Sequence, residues 1–393
     1  MHWTSSLSTA PDANAAIDEV VGAVTSQLGG TPDLVFVFVS PHHLSAMPWL
    51  AGRLSKEFGH APVVGNMAAG VIGSGHELEE GAALAVAAAH LPGVTVNPFF
   101  LEAAEVPPPG TPTAGWDARL GLGGGEAPNF VVMPDPFTTR PTDLVEALDG
   151  AYPDSTIVGG VTSGAAKAGD SRLLCGNEVH EGGVVGVALT GNITMDAVVA
   201  QGCRPVGSPM FVTRGSGNVI AELDGRPTAQ TLQGLYDRLP NKQQQQLRDG
   251  LQLGLGMTAE REVYTHGDFL IRDVIGLDAR TGSMAVGAPI KTGQVVQFHV
   301  RDAQTSADDL DALLAEACQS EDAPAGALLF SCLGRGKGLY GDGDHDSSVF
   351  AKHAPSSPVA GFFCGGEIGP VGGQTHVHGY TSVFAVFRRR NAN

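Results

Sequence analysis

Pro62-Val-Val-Gly65-Asn-Met-Ala-Ala-Gly70, Thr156-Ile-Val-Gly159-Gly-Val-Thr-Ser-Gly164 and Pro358-Val-Ala-Gly361-Phe-Phe-Cys-Gly-Gly366 repeat one pattern: a short apolar run followed by Gly-x-x-x-x-Gly. Upstream of each lies another apolar run, at Asp33–Val39, Asn129–Met133 and Gly326–Phe330. Downstream of each comes a third, at Gly81–Val86, Gly182–Leu189 and Gly379–Phe387. Between the first two runs of each copy the spacing predicts a helix: Pro48–Phe58, Pro141–Leu148 and Ser347–Lys352. The repeated unit is strand–helix–strand–strand. A further helix is predicted over 12–28, with Ala16, Val20, Val24 and Leu28 on one face. The loop through Pro107–Gly110 and Gly123–Gly125 reads as a mobile surface connection.

Between the second and third copies the sequence changes character. Met210–Leu223 reads as a hairpin turning at Gly215-Ser-Gly217. A polar helical stretch follows, containing Gln243–Gln246. Three strands are expected at Phe269–Leu277, Met284–Ala288 and Val295–Val300, forming an antiparallel meander. Helix 306–319 leads into the third copy. The fold class is therefore α/β, with mixed sheets built from the repeated unit and a meander in the C-terminal half. The domains divide as 30–203, holding two copies, and 204–388, holding the meander and the third.

A chain of 393 residues with 42% apolar residues can bury a substantial core. Its formal charge of -18 argues against a nucleic-acid partner, which requires a basic surface. No run reaches the roughly eighteen apolar residues of a membrane helix. The N-terminal residues lack a basic segment followed by an apolar core. Five scattered cysteines with no C-x-x-C pair speak against disulfides and against a cysteine-rich zinc site. A cytoplasmic setting without membrane insertion is the expectation, and the Gly- and Ala-rich composition points to a bacterial source.

A strand–helix–parallel strand places both strand C-termini on one sheet edge, where ligands bind in open α/β sheets. The first-strand tips are Ser40–His43, Pro134–Pro136 and Ser331–Gly336. The second-strand tips are Asn66, Thr162-Ser163 and Cys364–Glu367. The glycines that close each run either serve a tight turn or let a ligand approach backbone N–H groups. No Gly-Lys-Ser/Thr follows, and no Gly-x-Gly-x-x-Gly opens a helix, so nucleotide motifs are absent. At Ser331-Cys332-Leu-Gly-Arg335-Gly336, a thiol beside an arginine reads either as an activated nucleophile or anion cradle, or as a buried Cys with Arg335 in a structural ion pair. Asp342-Gly-Asp344-His-Asp346 begins like a calcium loop but has Ser347 where glycine belongs and His353 where the glutamate belongs. It reads as an acidic loop with Asp346 capping a helix. His376 and His378 share one strand face and read either as hydrogen-bonded histidines or as metal or haem ligands.

Gly326–Gly336, Pro358–Pro370 and His378-Gly-Tyr-Thr381 resemble the C-terminal signature of FIST proteins. The segments Val63–Gly73 and Val158–Gly164 are similar to the FIST N-terminal domain. The resemblance implies a sensory, signal-transducing protein that binds a small ligand such as an amino acid, and some members are described as haem-binding gas sensors. No kinase, methyl-accepting or cyclase segment accompanies the two FIST halves here, so a protein partner or a conformational change is expected to carry any signal. The family supplies no catalytic set. The expected ligand contacts are Cys332, Arg335, Gly336, Cys364, Glu367, His378, Asn66, Thr162 and Ser163, with no resident cofactor or metal. Two alternatives stay open: a cysteine-dependent enzyme using Cys332 or Cys364, and a haem-binding sensor.

Overall fold

The computed structural model describes residues 1–257, 264, 266–319 and 322–390. They form two compact units. The first comprises Met1–Ala200, Leu310–Val377 and the chain from Thr381; the second comprises Gln201–Asp309 with His378–Tyr380.

The first unit opens with β1 (His2–Ser8), α1 (Ala13–Leu28), β2 (Leu34–Val39), α2 (Met47–Glu57), β3 (Val63–Met67), a small hairpin β4–β5 (Val71–Gly73, His76–Leu78) and β6 (Leu84–His90). The same order recurs as β7 (Val94–Leu101), α3 (Thr113–Leu120), β8 (Asn129–Pro134), α4 (Pro141–Ala151), β9 (Ile157–Gly160), the hairpin β10–β11 (Leu173–Cys175, Glu178–His180) and β12 (Val184–Gly191). The third copy starts at β13 (Thr194–Gln201) and is interrupted at once by the second unit.

That inserted unit contains β14 (Cys203–Ser216), β15 (Val219–Leu223), β16 (Arg226–Pro227), α5 (Thr228–Tyr236), α6 (Asn241–Gly250), β17 (Leu251–Gly256), β18 (Phe269–Leu277), β19 (Met284–Val286) and β20 (Val295–Arg301). The chain rejoins the first unit along α7 (Ala303–Ala317). The third copy then continues through β21 (Gly326–Cys332), the short α8 (Lys337–Tyr340), α9 (His345–His353), β22 (Val359–Cys364), the hairpin β23–β24 (Glu367–Val371, Gln374–His378) and β25 (Thr381–Arg388).

The repeat is therefore longer than a strand–helix–strand–strand unit. It is strand–helix–strand–helix–strand–hairpin–strand. In each copy the two central strands pair in parallel, β2 with β3, β8 with β9 and β21 with β22. Each last strand returns antiparallel beside the first of that pair. The hairpins do not stay with their own copy. β4 pairs with β22, β23 pairs with β9, and β10 pairs with β3. Each copy thus gives its hairpin to another, and the three exchanges close a ring. The result is three six-stranded sheets of one design: β1-β6-β2-β3-β10-β11, β7-β12-β8-β9-β23-β24 and β13-β25-β21-β22-β4-β5. Without the exchange, β3, β9 and β22 would present unpaired edge backbone.

Alternation along the strands sets which face points where. Val35, Val37 and Val39 pack against α1 and α2, while Leu34, Phe36 and Phe38 turn to a central core. Phe130 and Val132 meet α3 and α4, while Val131 and Met133 turn inward. Ala327 and Leu329 join the cluster with α7 and α9, while Leu328 and Phe330 turn inward. The three inner faces make one shared core, in which a fully buried side chain such as Phe38 or Phe362 contributes about 1.5–3 kcal/mol.

Gly65, Gly159 and Gly361 have one structural cause. They stand opposite Val37, Val132 and Leu329 in the parallel pairs. A Cβ at these positions would lie 1.9, 1.8 and 1.7 Å from those residues' carbonyl oxygens. The glycines admit the neighbouring strand's carbonyl, not a ligand.

Two local expectations need correction. The 107–125 stretch contains α3, whose Trp116 is fully buried. Asp346 does not cap α9; Asp344 holds the N-cap position without a side-chain cap bond, and Asp346 lies buried in the first turn. In the second unit the strand order is β14-β20-β17-β18-β19-β15-β16 and β14 also pairs with β15, which makes a barrel-like antiparallel sheet. It is more than a meander, because β20 lies between β14 and β17. The strand β17 was missed in the sequence although Leu251, Leu253 and Leu255 alternate along it, because it follows directly on the polar helical stretch and carries glycines at 254 and 256. Among the described residues no helix is long and apolar enough to cross a membrane.

Gly361→Ala is expected to destabilise by about 3 kcal/mol or more in chemical denaturation, because backbone must move to admit the methyl group. Gly22→Ala, in α1 with open space around its Cβ, should be neutral or stabilising by up to about 1 kcal/mol.

Candidate functional site

The three first-strand tips are equivalent by register, and their chemistry diverges. In the first copy Ser40 Oγ accepts the Ala83 N–H at 2.9 Å, and burial, then the neighbouring His42, holds His43 below the usual imidazole range. In the second, buried Asp135 accepts the Thr138 N–H at 2.9 Å and its hydroxyl at 2.6 Å, and also the Ser171 hydroxyl. These two tips are closed by local hydrogen bonds.

The third tip gathers ionisable groups. Arg335, fully buried, forks onto Asp346: Nε donates to Oδ2 at 2.9 Å and Nη2 to Oδ1 at 2.8 Å. Ser331 Oγ donates to Asp346 Oδ2 at 2.9 Å, and His345 Nδ1 lies 3.0 Å from Oδ1. The His345 ring stacks on Tyr340 at 3.5 Å, and the Arg335 guanidinium lies over Tyr340. Burial opposes charge on both partners. Their attraction and hydrogen bonds outweigh it, holding Asp346 well below the carboxylate range and Arg335 above its own. Arg335 is thus the structural ion pair of the two sequence readings, with its fork occupied by Asp346.

Two further carboxyls flank this pair. Glu77, on the hairpin donated by the first copy, accepts the Ser347 N–H at 2.6 Å through Oε1, while its Oε2 has no partner. Burial, and next the Asp346 charge, pushes it up to about 8. Glu367 opens β23 and accepts the Thr381 N–H at 3.1 Å through Oε2, with Oε1 unpartnered. Burial pushes it up to about 8 against the lowering pull of Thr381 N–H, Arg335 and a hydrogen bond with Cys332. Cys364, fully buried and opposite Cys332, has its thiol pushed well above the normal range by burial and by the Glu367 charge.

Of the residues expected at the site, Cys332, Arg335, Cys364 and Glu367 come together here. Gly336 holds the N-cap position of α8 with φ +58, and an added Cβ there would lie 2.5 Å from the Glu79 carboxylate. Asn66 is fully buried in β3 with neither amide atom partnered, and the buried Thr162 hydroxyl is likewise unpartnered. Ser163 links all three copies: its hydroxyl donates to the Phe363 carbonyl and accepts the Ala69 N–H at 3.1 Å. His378 ends β24, is buried, and belongs to the second compact unit.

Sequence reasoning missed Glu77, Lys337 and the role of Asp346. Glu77 is a lone acid in a turn-bounded triplet, and its partners lie in α9. Beside it opens a cleft of about 620 Å³ in the first unit, lined among others by Thr9, His76, Glu77, Lys337, Asp342 and Asp344. Asp344 fixes the hairpin there, accepting the Glu77 N–H at 2.6 Å and facing His76 Nδ1 at 3.0 Å. The Glu79 side chain accepts the Lys337 N–H at 2.8 Å. Among the described residues no carboxylate pairs with the Lys337 amine, and no group of three or more His, Cys, Asp or Glu is placed to hold a metal ion.

An exchanged-hairpin α/β scaffold carrying a barrel-like insertion, with ionisable groups gathered at one strand tip, is the architecture on which the comparisons fall. The FIST N domain matches residues 33–226 and the FIST C domain residues 230–370. An uncharacterized protein of Mycobacterium tuberculosis is 36% identical over 384 residues, 97% of this chain and 98% of its own length. One of Mycobacterium bovis is 34% identical over 381 residues, 96% and 97% of the two chains. An F-box/LRR-repeat protein of Arabidopsis thaliana is 32% identical over 117 residues, 25% of this chain and 22% of its own. The chain belongs to the FIST family, whose domains are associated with sensory signal transduction. The FIST N match runs past the second copy into the β14–β15 hairpin, so the family segments and the compact units divide the chain differently.

Two predictions follow from the electrostatics. Arg335→Met, which leaves Asp346 buried without its cation, should lower stability by about 3–5 kcal/mol in urea unfolding. For Glu77 and Glu367 the native state keeps a proton that the unfolded chain loses above its value of 4.5. Their linkage makes stability fall as pH rises from 4.5 to about 8. Denaturation midpoints measured across that window should decline less steeply in Glu77→Gln than in the parent.

Proposed function

We propose that this chain is a cytoplasmic, non-catalytic sensory protein. It binds a small zwitterionic metabolite of the amino-acid type in the cleft between the β4–β5 hairpin and the loop after β21. The observation that carries the reading is Glu77. It is buried, with one carboxylate oxygen unpartnered, in the wall of a cleft that also presents the Lys337 amine. A buried acid lacking a partner is costly, and a ligand ammonium satisfies it. Lys337 faces the ligand carboxylate, and Asp342 at the rim adds a second acceptor for the ammonium. About 620 Å³ suits a metabolite of that size.

The reading also supplies a route for a signal. Glu77 sits on a hairpin that belongs to the first copy but is docked on the third. A ligand held between Glu77 and Lys337 ties those copies together and biases the hairpin's docking equilibrium. Arg335 and Asp346 then act as the rigid floor and need not touch ligand. Cys332, Glu367, Asn66, Thr162 and Ser163 lie behind that floor in the proposal, and no cofactor is invoked.

Thermal-shift and calorimetric titration of the full chain with individual amino acids tests the reading. At least one should raise the melting temperature, and Lys337→Ala should weaken its binding by about tenfold or more. If no amino acid shifts the melting temperature, or if Lys337→Ala binds equally well, the proposed ligand class is wrong.

A further inference from the structure

Cys332 and Cys364 are separated by 31 intervening residues in sequence but are direct partners in the parallel β21–β22 pair. Residues opposed in neighbouring strands put their side chains on the same face, and those two positions earlier show this directly: the rings of Phe330 and Phe362 meet edge to face at 5.6 Å. Parallel neighbours lie about 4.8 Å apart. That spacing falls inside the Cα separation of roughly 4.4–6.8 Å that a disulfide spans. Cys364 has room because the position facing it is Gly160, where an added Cβ would lie 2.6 Å from the Cys364 sulfur.

The two thiols differ in access and surroundings. Cys332 is half-buried at the end of its strand, and Cys364 is fully buried. The Gly334 N–H donates to the Cys332 sulfur at 3.4 Å, which favours a thiolate there. The Cys332 thiol also hydrogen-bonds to the Glu367 carboxyl, whose Oε1 has no partner. Cys175 and Cys318 have their thiols raised by burial, and Cys203 is buried in the second unit.

We propose that Cys332 and Cys364 form a peroxide-sensitive dithiol, with Cys332 as the attacking thiol, Glu367 as the proton donor to the leaving oxygen and Cys364 as the resolving thiol. Cys332 loses its proton to solvent, which later restores the Glu367 proton, and the thiolate attacks one oxygen of a hydroperoxide. The O–O bond breaks, the leaving oxygen takes the proton from Glu367, and Cys332 carries the sulfenic acid. Cys364 then attacks the Cys332 sulfur. The S–O bond breaks, the departing hydroxide takes the Cys364 proton as water, and the disulfide forms. With hydrogen peroxide, two thiols and one peroxide become one disulfide and two waters. The bond would fasten Leu333–Gly336, the segment that leads to Lys337, to the end of β22. This inference does not rest on the ligand reading, because its test contains no ligand.

Hydrogen peroxide treatment of the full chain, followed by alkylation and peptide mapping, tests it. The expected product is a crosslink between the Cys332 and Cys364 peptides, reversed by dithiothreitol. In Cys364→Ser a dimedone adduct should accumulate on Cys332, and in Glu367→Gln disulfide formation should slow by about tenfold or more. Recovery of both cysteines as unlinked, alkylatable thiols after oxidant exposure overturns the proposal. So does a dimedone adduct that appears on another cysteine first. The crosslink is read on the unaltered chain, so a variant that fails to fold leaves the test decisive.

Discussion

Backbone pairing between copies is the interaction on which the first unit depends. β3, β9 and β22 each have one side filled by their own copy and the other by a hairpin from elsewhere. The Met67, Val161 and Phe363 N–H groups donate to Arg172, Gly366 and Gly70 carbonyls, one such bond at each of the three exchanges. Remove one hairpin and an edge strand is exposed in another copy, whose own hairpin is then anchored on a weakened sheet. The glycines at 65, 159 and 361 serve the same assembly, since only a residue without a side chain admits the neighbouring carbonyl at that register. The shared central core is closed by all three sheets at once, so no copy buries its inner face alone.

This exchange also creates the site. Glu77 reaches α9 because β4–β5 leaves its own sheet, and Glu367 reaches Cys332 and the Thr381 N–H from the start of the hairpin that β22 sends to β9. The Arg335–Asp346 pair holds the centre in fixed geometry. Such a pair adds little net stability over an apolar substitute, but it leaves a large penalty if one partner is lost. What it secures is orientation: Ser331 and His345 are both bonded to Asp346, which itself lies in the first turn of α9. Three equivalent tips therefore share a scaffold and differ in chemistry, with hydrogen-bonded closure in two and an ionisable cluster in the third.

Much of the scaffold was legible in the sequence because its signals are local. Apolar runs gave the central strands, Pro141 and Asp12 marked helix starts, and the triple Gly-x-x-x-x-Gly disclosed the repeat. The convergence of Cys332, Arg335, Cys364 and Glu367 was legible too, since all four lie at the ends of adjacent strands. Hairpin exchange was not, because β4, β10 and β23 are short strands whose partners lie in another copy and whose pairing is backbone to backbone. Glu77 was invisible for the same reason. Asp346 looked like a helix cap because an acid before a helical run has that local use, and only the fold shows a guanidinium beside it. The outer strands β1, β7 and β13 hid the true length of the repeat, since the inserted barrel separates β13 from the rest of its copy.

Native-state hydrogen exchange is the most direct test of this account. If the ring of exchanged hairpins makes the three copies one cooperative body, the amides of Met67, Val161 and Phe363 should open together, with one free energy equal to that of global unfolding of the first unit. If one of the three exchanges through a separate, lower-energy opening while the other two stay protected, the copies are independent and the account is wrong.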